Sequence, residues 1–248
     1  MGELAQMIID SHCHVGMCRV FGAQQDVNQL FLSMERHGVD RAIVQPFPGS
    51  MNPTEDHSLI GRMDHKKIRG IASMSPHRDA AEYRAEIQRC AQELGFVGVK
   101  LHTIGHSISP LSPDARLVFE TAADLSIPVM IHTGPGVPFA EPAAWIPLSR
   151  EFSDTKVVFA HSGAGIYTVA AIAVAEVCEN VFLETSWCNI GDIQRAIRTL
   201  GADRVMFGSD MIPNLSVEIA KFGALDISAE ERSAVMYGTA QKVFGMEE

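Results

Sequence analysis

The chain has 248 residues, of which 46% are apolar and 20% are charged, and its formal net charge at pH 7 is −10. A protein that binds a nucleic-acid backbone needs clustered lysine and arginine, so this acidic balance excludes that class. No apolar stretch reaches the ~18 residues of a transmembrane helix, and no membrane association is expected. Because no basic segment precedes the first apolar run, we also expect no signal peptide.

The cysteines indicate the compartment. The chain has five of them, an odd number, and none shows Cys-x-x-Cys spacing. Unpaired thiols of this kind are typical of the reducing cytoplasm rather than of a disulfide framework. We therefore expect a cytoplasmic globular protein with free thiols.

Short apolar segments typical of strands alternate along the chain with segments of helical periodicity. The predicted strands cover residues 7–12, 39–45, 68–73, 97–102, 127–132, 157–161, 181–185 and 204–209. The clearest predicted helices cover residues 27–38, 80–95, 113–126 and 166–180.

This alternation predicts an α/β protein with parallel strands joined by helical crossovers. Eight strands in a chain of 248 residues indicate a (β/α)8 TIM barrel that forms a single domain over residues 1–248. An open doubly wound sheet is the competing fold. It would place a glycine-rich phosphate-binding turn after the first strand, where this chain has His12-Cys13-His14 instead.

Residues with metal-binding chemistry follow several predicted strands. His12 and His14 are two positions apart on the first strand, so both side chains point to the same face, and Cys13 points to the opposite one. His132, His161 and Asp210 end the fifth, sixth and eighth strands. In a parallel barrel these ends meet at one rim, and two or three histidines with a carboxylate suit zinc or a similar ion.

A second group of residues is a candidate for binding the substrate. Lys100 and His102 share a face and are expected to point into the barrel mouth. A cationic pair there would suit a substrate with a carboxylate. The alternative is that Lys100 forms a structural ion pair. His106 lies on the following loop, as either a substrate contact or a surface residue. Trp187 follows the seventh strand and either walls the pocket or packs in the core.

The remaining histidines, His37, His57, His65 and His77, occupy predicted helix ends or polar loops. We expect these four side chains to be solvated and to take no part in the site.

Several segments resemble the amidohydrolase superfamily, in particular its amidohydrolase-related branch, amidohydrolase 2. They are DSHCH (10–14), GFVGVKLH (95–102), IPVMIHTG (127–134), VVFAHSG (157–163) and VMFGSDMIP (205–213). The closing segment 227–245 is also similar, although Thr239 replaces the usual asparagine. The resemblance implies a distorted (β/α)8 barrel with a catalytic divalent metal.

Carried over by position, His12, His14, His132 and Asp210 resemble the metal ligands, and His161 resembles the histidine that acts beside the metal. The ion would be zinc, which lowers the pKa of bound water to about 7. Asp210 would then take the proton of that water. A two-metal variant of the family is also open, in which a carbamylated Lys100 bridges a second ion.

Three functions remain open at this point. The first is hydrolysis of a small carboxylated ester, lactone or amide, favoured because some decarboxylases of the branch have glutamate where this chain has His12. The second is nonoxidative decarboxylation of an aromatic or dienoic acid. The third is a non-catalytic barrel that binds a small molecule. Because the chain is short for the family, a neighbouring subunit of a homo-oligomer is one way to complete its pocket.

Overall fold

The computed structural model describes residues 7–18, 22–135 and 138–246. The strands are β1 (Ile9–Cys18), β2 (Ala23–Gln25), β3 (Arg41–Pro46), β4 (Ile68–Gly70), β5 (Ala72–Ser73), β6 (Val99–Leu101), β7 (Val129–His132), β8 (Val157–Ala160), β9 (Val181–Glu184) and β10 (Val205–Met206). The α-helices are α1 (Val27–His37), α2 (Pro53–Ile60), α3 (Ala80–Gln92), α4 (Pro113–Asp124), α5 (Ile146–Glu151), α6 (Thr168–Val177), α7 (Ile190–Leu200), α8 (Leu215–Gly223), α9 (Ala229–Ser233) and α10 (Thr239–Phe244).

The strands close into a (β/α)8 barrel, as the sequence predicts. Neighbouring barrel strands pair in parallel from β1 to β3 and onward to β10, and β4 and β5 form one barrel strand interrupted at Ile71. The ring closes where the amide of Ser11 donates to the carbonyl of Phe207 over 3.1 Å. The short β2, which the sequence did not predict, pairs antiparallel with β1.

Local sequence signals explain where the main helices begin and end. Asp26 caps α1 by accepting from the amide of Gln29, and the side-chain oxygen of Gln29 accepts in turn from the amide of Asp26. The helix stops at Gly38, which adopts a φ of 67° that glycine tolerates without steric cost. Ser112 caps α4 in the same manner as Asp26, with a proline in the first turn.

The barrel interior holds an apolar layer below a polar one. Ile43, Ile71, Met130, Val158 and Phe182 come from different barrel strands and pack together, and residues of α10 close the layer from below. Because side chains alternate along a strand, the positions two residues later face the same interior, one layer higher. Those positions are Gln45, Ser73, His132, Ala160 and Glu184. The polar layer lies at the carboxyl ends of the strands, where barrel enzymes carry their sites.

The larger part of the core lies between the barrel and the surrounding helices, and it includes Cys13, which packs behind β1 as predicted. All five cysteines are buried and free. None of the helices in the described part of the chain has both the length and the apolar character needed to cross a bilayer.

Candidate metal centre

Three of the predicted ligands converge at the carboxyl ends of β1 and β10. The Nε2 atoms of His12 and His14 lie 3.2 Å apart, and Oδ1 of Asp210 lies 3.3 Å from each of them. Both histidines are buried, at 1% and 3% exposure. This spacing is short enough for one small ion to contact all three atoms.

The hydrogen bonds of the two histidines set which nitrogen can bind a metal. Nδ1 of His14 lies 3.1 Å from the carbonyl oxygen of Pro46, which can only accept, so Nδ1 carries the proton. Nδ1 of His12 lies 2.8 Å from a carboxylate oxygen of Glu184, with the same consequence. Nε2 is therefore the unprotonated nitrogen of each ring, and both Nε2 atoms lie 3.3 Å from Oδ1 of Asp210.

Charge in this cluster also favours a cation. Burial lowers the pKa of His12 well below its usual value, so the ring is neutral. Burial opposes ionisation of Asp210, but the surrounding histidines, His161 foremost, hold its pKa well below the usual range. Two imidazole nitrogens and a carboxylate oxygen close to one another are the donor set of a divalent metal site. The residues present thus fit the ion that the resemblance implies.

His132, the fourth predicted ligand, lies apart from this tight group. Its ring stacks on His102, with centroids 4.2 Å apart, and stands nearly perpendicular to His161 at 4.9 Å. Its Nδ1 is buried and has no hydrogen-bond partner among the residues that the structure describes. A buried imidazole with an unused nitrogen is costly unless something binds the ring, so His132 remains our predicted fourth ligand.

Lys100 lies at the floor of the site and not at its rim, which differs from the sequence expectation. Its side chain is 1% exposed, and Nζ lies 3.1 Å from Nε2 of His12. Burial lowers the pKa of Lys100 to about 8. The difference arises because Lys100 lies on β6 at a level of the barrel interior that is below the opening of the cavity.

Glu184 connects His12 with His161 through hydrogen bonds, and the sequence analysis did not select it. Its Oε2 accepts from Nδ1 of His12, from the amide of His161 at 3.1 Å and from the hydroxyl of Ser186 at 2.9 Å. An added Cβ on Gly208 would lie 2.5 Å from Oε1 of Glu184, so glycine is required there. The available signal was a charged residue at the end of the apolar strand VFLE.

A cavity of about 560 Å³ opens above the cluster. Its described lining is mainly apolar and includes no lysine or arginine, and Asp210 is its one carboxylate. The lining residues are His14, Cys18, Phe47, Pro48, His102, Ile104, Gly105, His132, Thr133, Pro135, His161, Ala164, Trp187, Asp210 and Met211.

Of the four predicted substrate contacts, His102 and Trp187 line this cavity, and Lys100 and His106 do not. His102 lies in the wall, and Nδ1 of its ring accepts from the amide of Gly105 at 3.0 Å. Trp187 forms another part of the wall, and its indole Nε1–H donates to Oδ2 of Asp210 over 2.8 Å. His106 is only 4% exposed and accepts from the amide of His102, so it supports His102 from behind.

Backbone strain is concentrated at the same rim. His161, Ser162, Trp187 and Asp210 all adopt a positive φ, between 44° and 67°. Such conformations are unfavourable for residues other than glycine and cluster at functional sites.

The family follows from a direct comparison. The Amidohydrolase family model, Amidohydro_2, matches residues 9–246. The chain belongs to the amidohydrolase family.

Relatives of this chain carry out different reactions. A 2-keto-4-carboxy-3-hexenedioate hydratase of Sphingobium sp. is 25% identical, covering 88% of this chain and 82% of that protein. A gamma-resorcylate decarboxylase of Polaromonas sp. is 24% identical, covering 72% and 70%. The structure of a dihydroxybenzoic acid decarboxylase from Polaromonas sp., with bound manganese, superposes with a TM-score of 0.76 at 17% identity and covers 98% of both chains. Membership of this enzyme family therefore fits hydrolysis and decarboxylation alike.

The sequence expectation that His57 is solvated is wrong. His57 is fully buried and not solvated, with Nδ1 2.7 Å from Glu86 and Nε2 accepting from the amide of Ser73 at 2.9 Å. Arg89 pairs with both carboxylate oxygens of Glu86. The cluster joins α2, α3 and the end of β5. It was missed because the partners of His57 are distant in sequence.

Proposed function

We propose that this protein is a metal-dependent decarboxylase of a small aromatic or dienoic acid. The observation that carries the proposal is the contrast within the cavity: apolar walls above a floor built to hold a cation. A carboxylate would bind with its charged end at the floor, near Lys100, and its ring or diene between the walls. Loss of carbon dioxide disperses the carboxylate charge, and an apolar site that excludes water favours that change.

The described lining of the cavity also favours a substrate with one carboxylate. A second carboxylate would lie against residues such as Phe47, Ile104 and Met211, with no lysine or arginine among the described lining residues to pair with it. Burying an unpaired carboxylate costs several kcal/mol. The substrate class we propose is therefore a monocarboxylate with an uncharged body.

The bound ion would be divalent, held by His12, His14 and Asp210 with His132 as the further ligand. Imidazole and carboxylate donors suit zinc, and manganese accepts the same set. When bound, it would neutralise and orient the substrate carboxylate.

His161 is the proposed proton-transfer residue. It lines the cavity, and its Nδ1 is engaged by Ser186 at 2.8 Å, which leaves Nε2 for the substrate. Burial lowers the pKa of His161 to about 4, so the ring is neutral at pH 7 and able to accept a proton. The proton it takes from the substrate or from water can then be delivered to the carbon that loses its carboxyl group.

Hydrolysis of a small carboxylated ester, lactone or amide is the second candidate. It is favoured by the position of Asp210 Oδ1, 3.3 Å from both histidine nitrogens, where a carboxylate can accept a proton from bound water. The hydrogen bond from Trp187 to the other oxygen makes Asp210 a weaker base, and for that reason we rank hydrolysis second.

The test is a substrate panel assayed with protein loaded with manganese or zinc. It includes aromatic monocarboxylates such as 2,6-dihydroxybenzoate, dicarboxylates such as 5-carboxyvanillate, and carboxylated lactones, esters and amides. We expect release of carbon dioxide from monocarboxylates, lost in His161→Ala. Acid release from lactones or esters without carbon dioxide would show hydrolysis. Binding without turnover of any compound would support the non-catalytic barrel.

A further inference from the structure

A chain of buried hydrogen bonds links the side chain of His161 to that of His12. We propose that Ser186 is a positioning residue that fixes the tautomer of His161, and that Glu184 holds His161 and His12 in the same tautomer through one carboxylate oxygen. The hydrogen bonds do not depend on the proposed function. Only the kinetic consequence rests on the proposed role of His161 in proton transfer.

The hydroxyl of Ser186 has a single hydrogen, and its partners determine where that hydrogen goes. Oγ of Ser186 lies 2.9 Å from Oε2 of Glu184 and 2.8 Å from Nδ1 of His161. A carboxylate accepts, so the hydroxyl donates to Glu184 and can only accept from His161. Nδ1 of His161 therefore carries a proton, and Nε2 has a free lone pair.

Glu184 is itself fixed by groups that can only donate. The amide of Ser186 donates to Oε1 at 2.6 Å, and the amide of His161 donates to Oε2 at 3.1 Å. Oε2 also lies 2.8 Å from Nδ1 of His12. Since Glu184 and Ser186 are both fully buried, water does not compete for these bonds. The same oxygen thus favours the Nδ1–H tautomer in His12 directly and in His161 through Ser186.

The consequence is that both rings present a bare Nε2 at the cavity. Without the Ser186 hydroxyl, Nδ1 of His161 would be a buried donor with no acceptor, which costs free energy. The ring would then shift towards the Nε2–H tautomer, which cannot accept a proton from the substrate at Nε2.

The matched variants are Ser186→Ala and Thr185→Val. Thr185 is the neighbouring buried residue, and its hydroxyl donates to the carbonyl of Met206 at 3.2 Å, away from His161. Both variants remove one buried hydroxyl from the same segment. Ser186→Thr keeps a hydroxyl at the site and serves as the rescue.

The primary measurement is ¹⁵N NMR of the histidine rings at pH 8, on protein as purified and after addition of zinc. We expect the Nδ1–H tautomer of His161 in wild type, Thr185→Val and Ser186→Thr, and a shift towards Nε2–H in Ser186→Ala. An unchanged His161 tautomer in Ser186→Ala would overturn the proposal, whatever reaction the protein catalyses.

The kinetic measurement separates positioning from a general loss of structure. With a substrate found in the panel, we expect kcat of Ser186→Ala to fall on the order of 10–100-fold, with KM and zinc affinity close to wild type. A parallel loss in Thr185→Val would show that the effect is structural and would contradict the assigned role. If no substrate is found, the proposed function fails while the NMR result still decides the tautomer.

Discussion

The indole Nε1–H of Trp187 donates to Oδ2 of Asp210 over 2.8 Å, and both residues adopt a φ of 65°. This bond holds the outer oxygen of the carboxylate, so the inner oxygen faces His12 and His14. Trp187 is thereby both a wall of the cavity and an orienting partner of a proposed metal ligand.

Trp187→Phe is expected to keep the aromatic wall and lose the orienting hydrogen bond. Replacing such a partner of a metal ligand typically costs about 10–100-fold in metal affinity or activity. Titration with manganese or zinc and kcat/KM measure the two effects. Ile104→Leu, a change at another lining residue, is the control and should behave like wild type; equal behaviour of both variants would show that the indole N–H has no such role.

Asp210→Asn is expected to lose at least a hundredfold in turnover. The amide still offers an oxygen but no charge, so the ion is held less well and the carboxylate can no longer take part in proton transfer. The assay is run at metal concentrations that saturate the variant, as shown by metal analysis. Full turnover with the ion bound would exclude a role for the Asp210 charge in the reaction.

Replacement of Lys100 distinguishes a site with one metal ion from a site with two. With a single ion, Lys100→Met should raise KM for carboxylated substrates and leave the metal content near one per chain, because only a binding contact is lost. With a carbamylated Lys100 as a bridge, wild type would hold two ions and the variant would lose metal. Elemental analysis of both proteins decides between these versions, and we expect the single ion.

The buried cluster around Glu86 should contribute stability that depends on pH. Burial opposes its ionisation, but the hydrogen bonds from Arg89 and His57 lower the pKa of Glu86 to about 2. Since the unfolded value is about 4.3, this contribution is fully present above that pH and is lost as the pH falls towards 2.

Glu86→Gln is therefore expected to destabilise the protein by about 3 kcal/mol at pH 7, as when one partner of a buried ion pair is removed. Urea unfolding should show the difference from wild type shrinking between pH 4.5 and pH 3. Glu82→Gln, whose partner Arg78 lies in an exposed pair, is the control. A difference that stays constant with pH would show that the ionised form of Glu86 is not what stabilises the cluster.

The sequence predicted the barrel because strand segments alternate with helical segments, and local signals such as the cap of α1 at Gly38 end the helices. It predicted His12, His14 and Asp210 because parallel strands bring their ends together. It did not predict Glu184 or Ser186, since their importance depends on which side chains meet across the barrel. The depth of Lys100 and the burial of His57 likewise depend on register and on distant partners, which a single sequence does not show.

The central claim is that His12 and His14 hold a divalent ion, and metal content tests it most directly. Wild type purified without chelator and the variant His12→Ala/His14→Ala are compared by elemental analysis and by titration with zinc and manganese, with circular dichroism to verify the fold. We predict about one ion per chain in wild type and a loss of binding in the folded variant. Unchanged metal content in that variant, or a wild type that binds neither ion, would contradict the account.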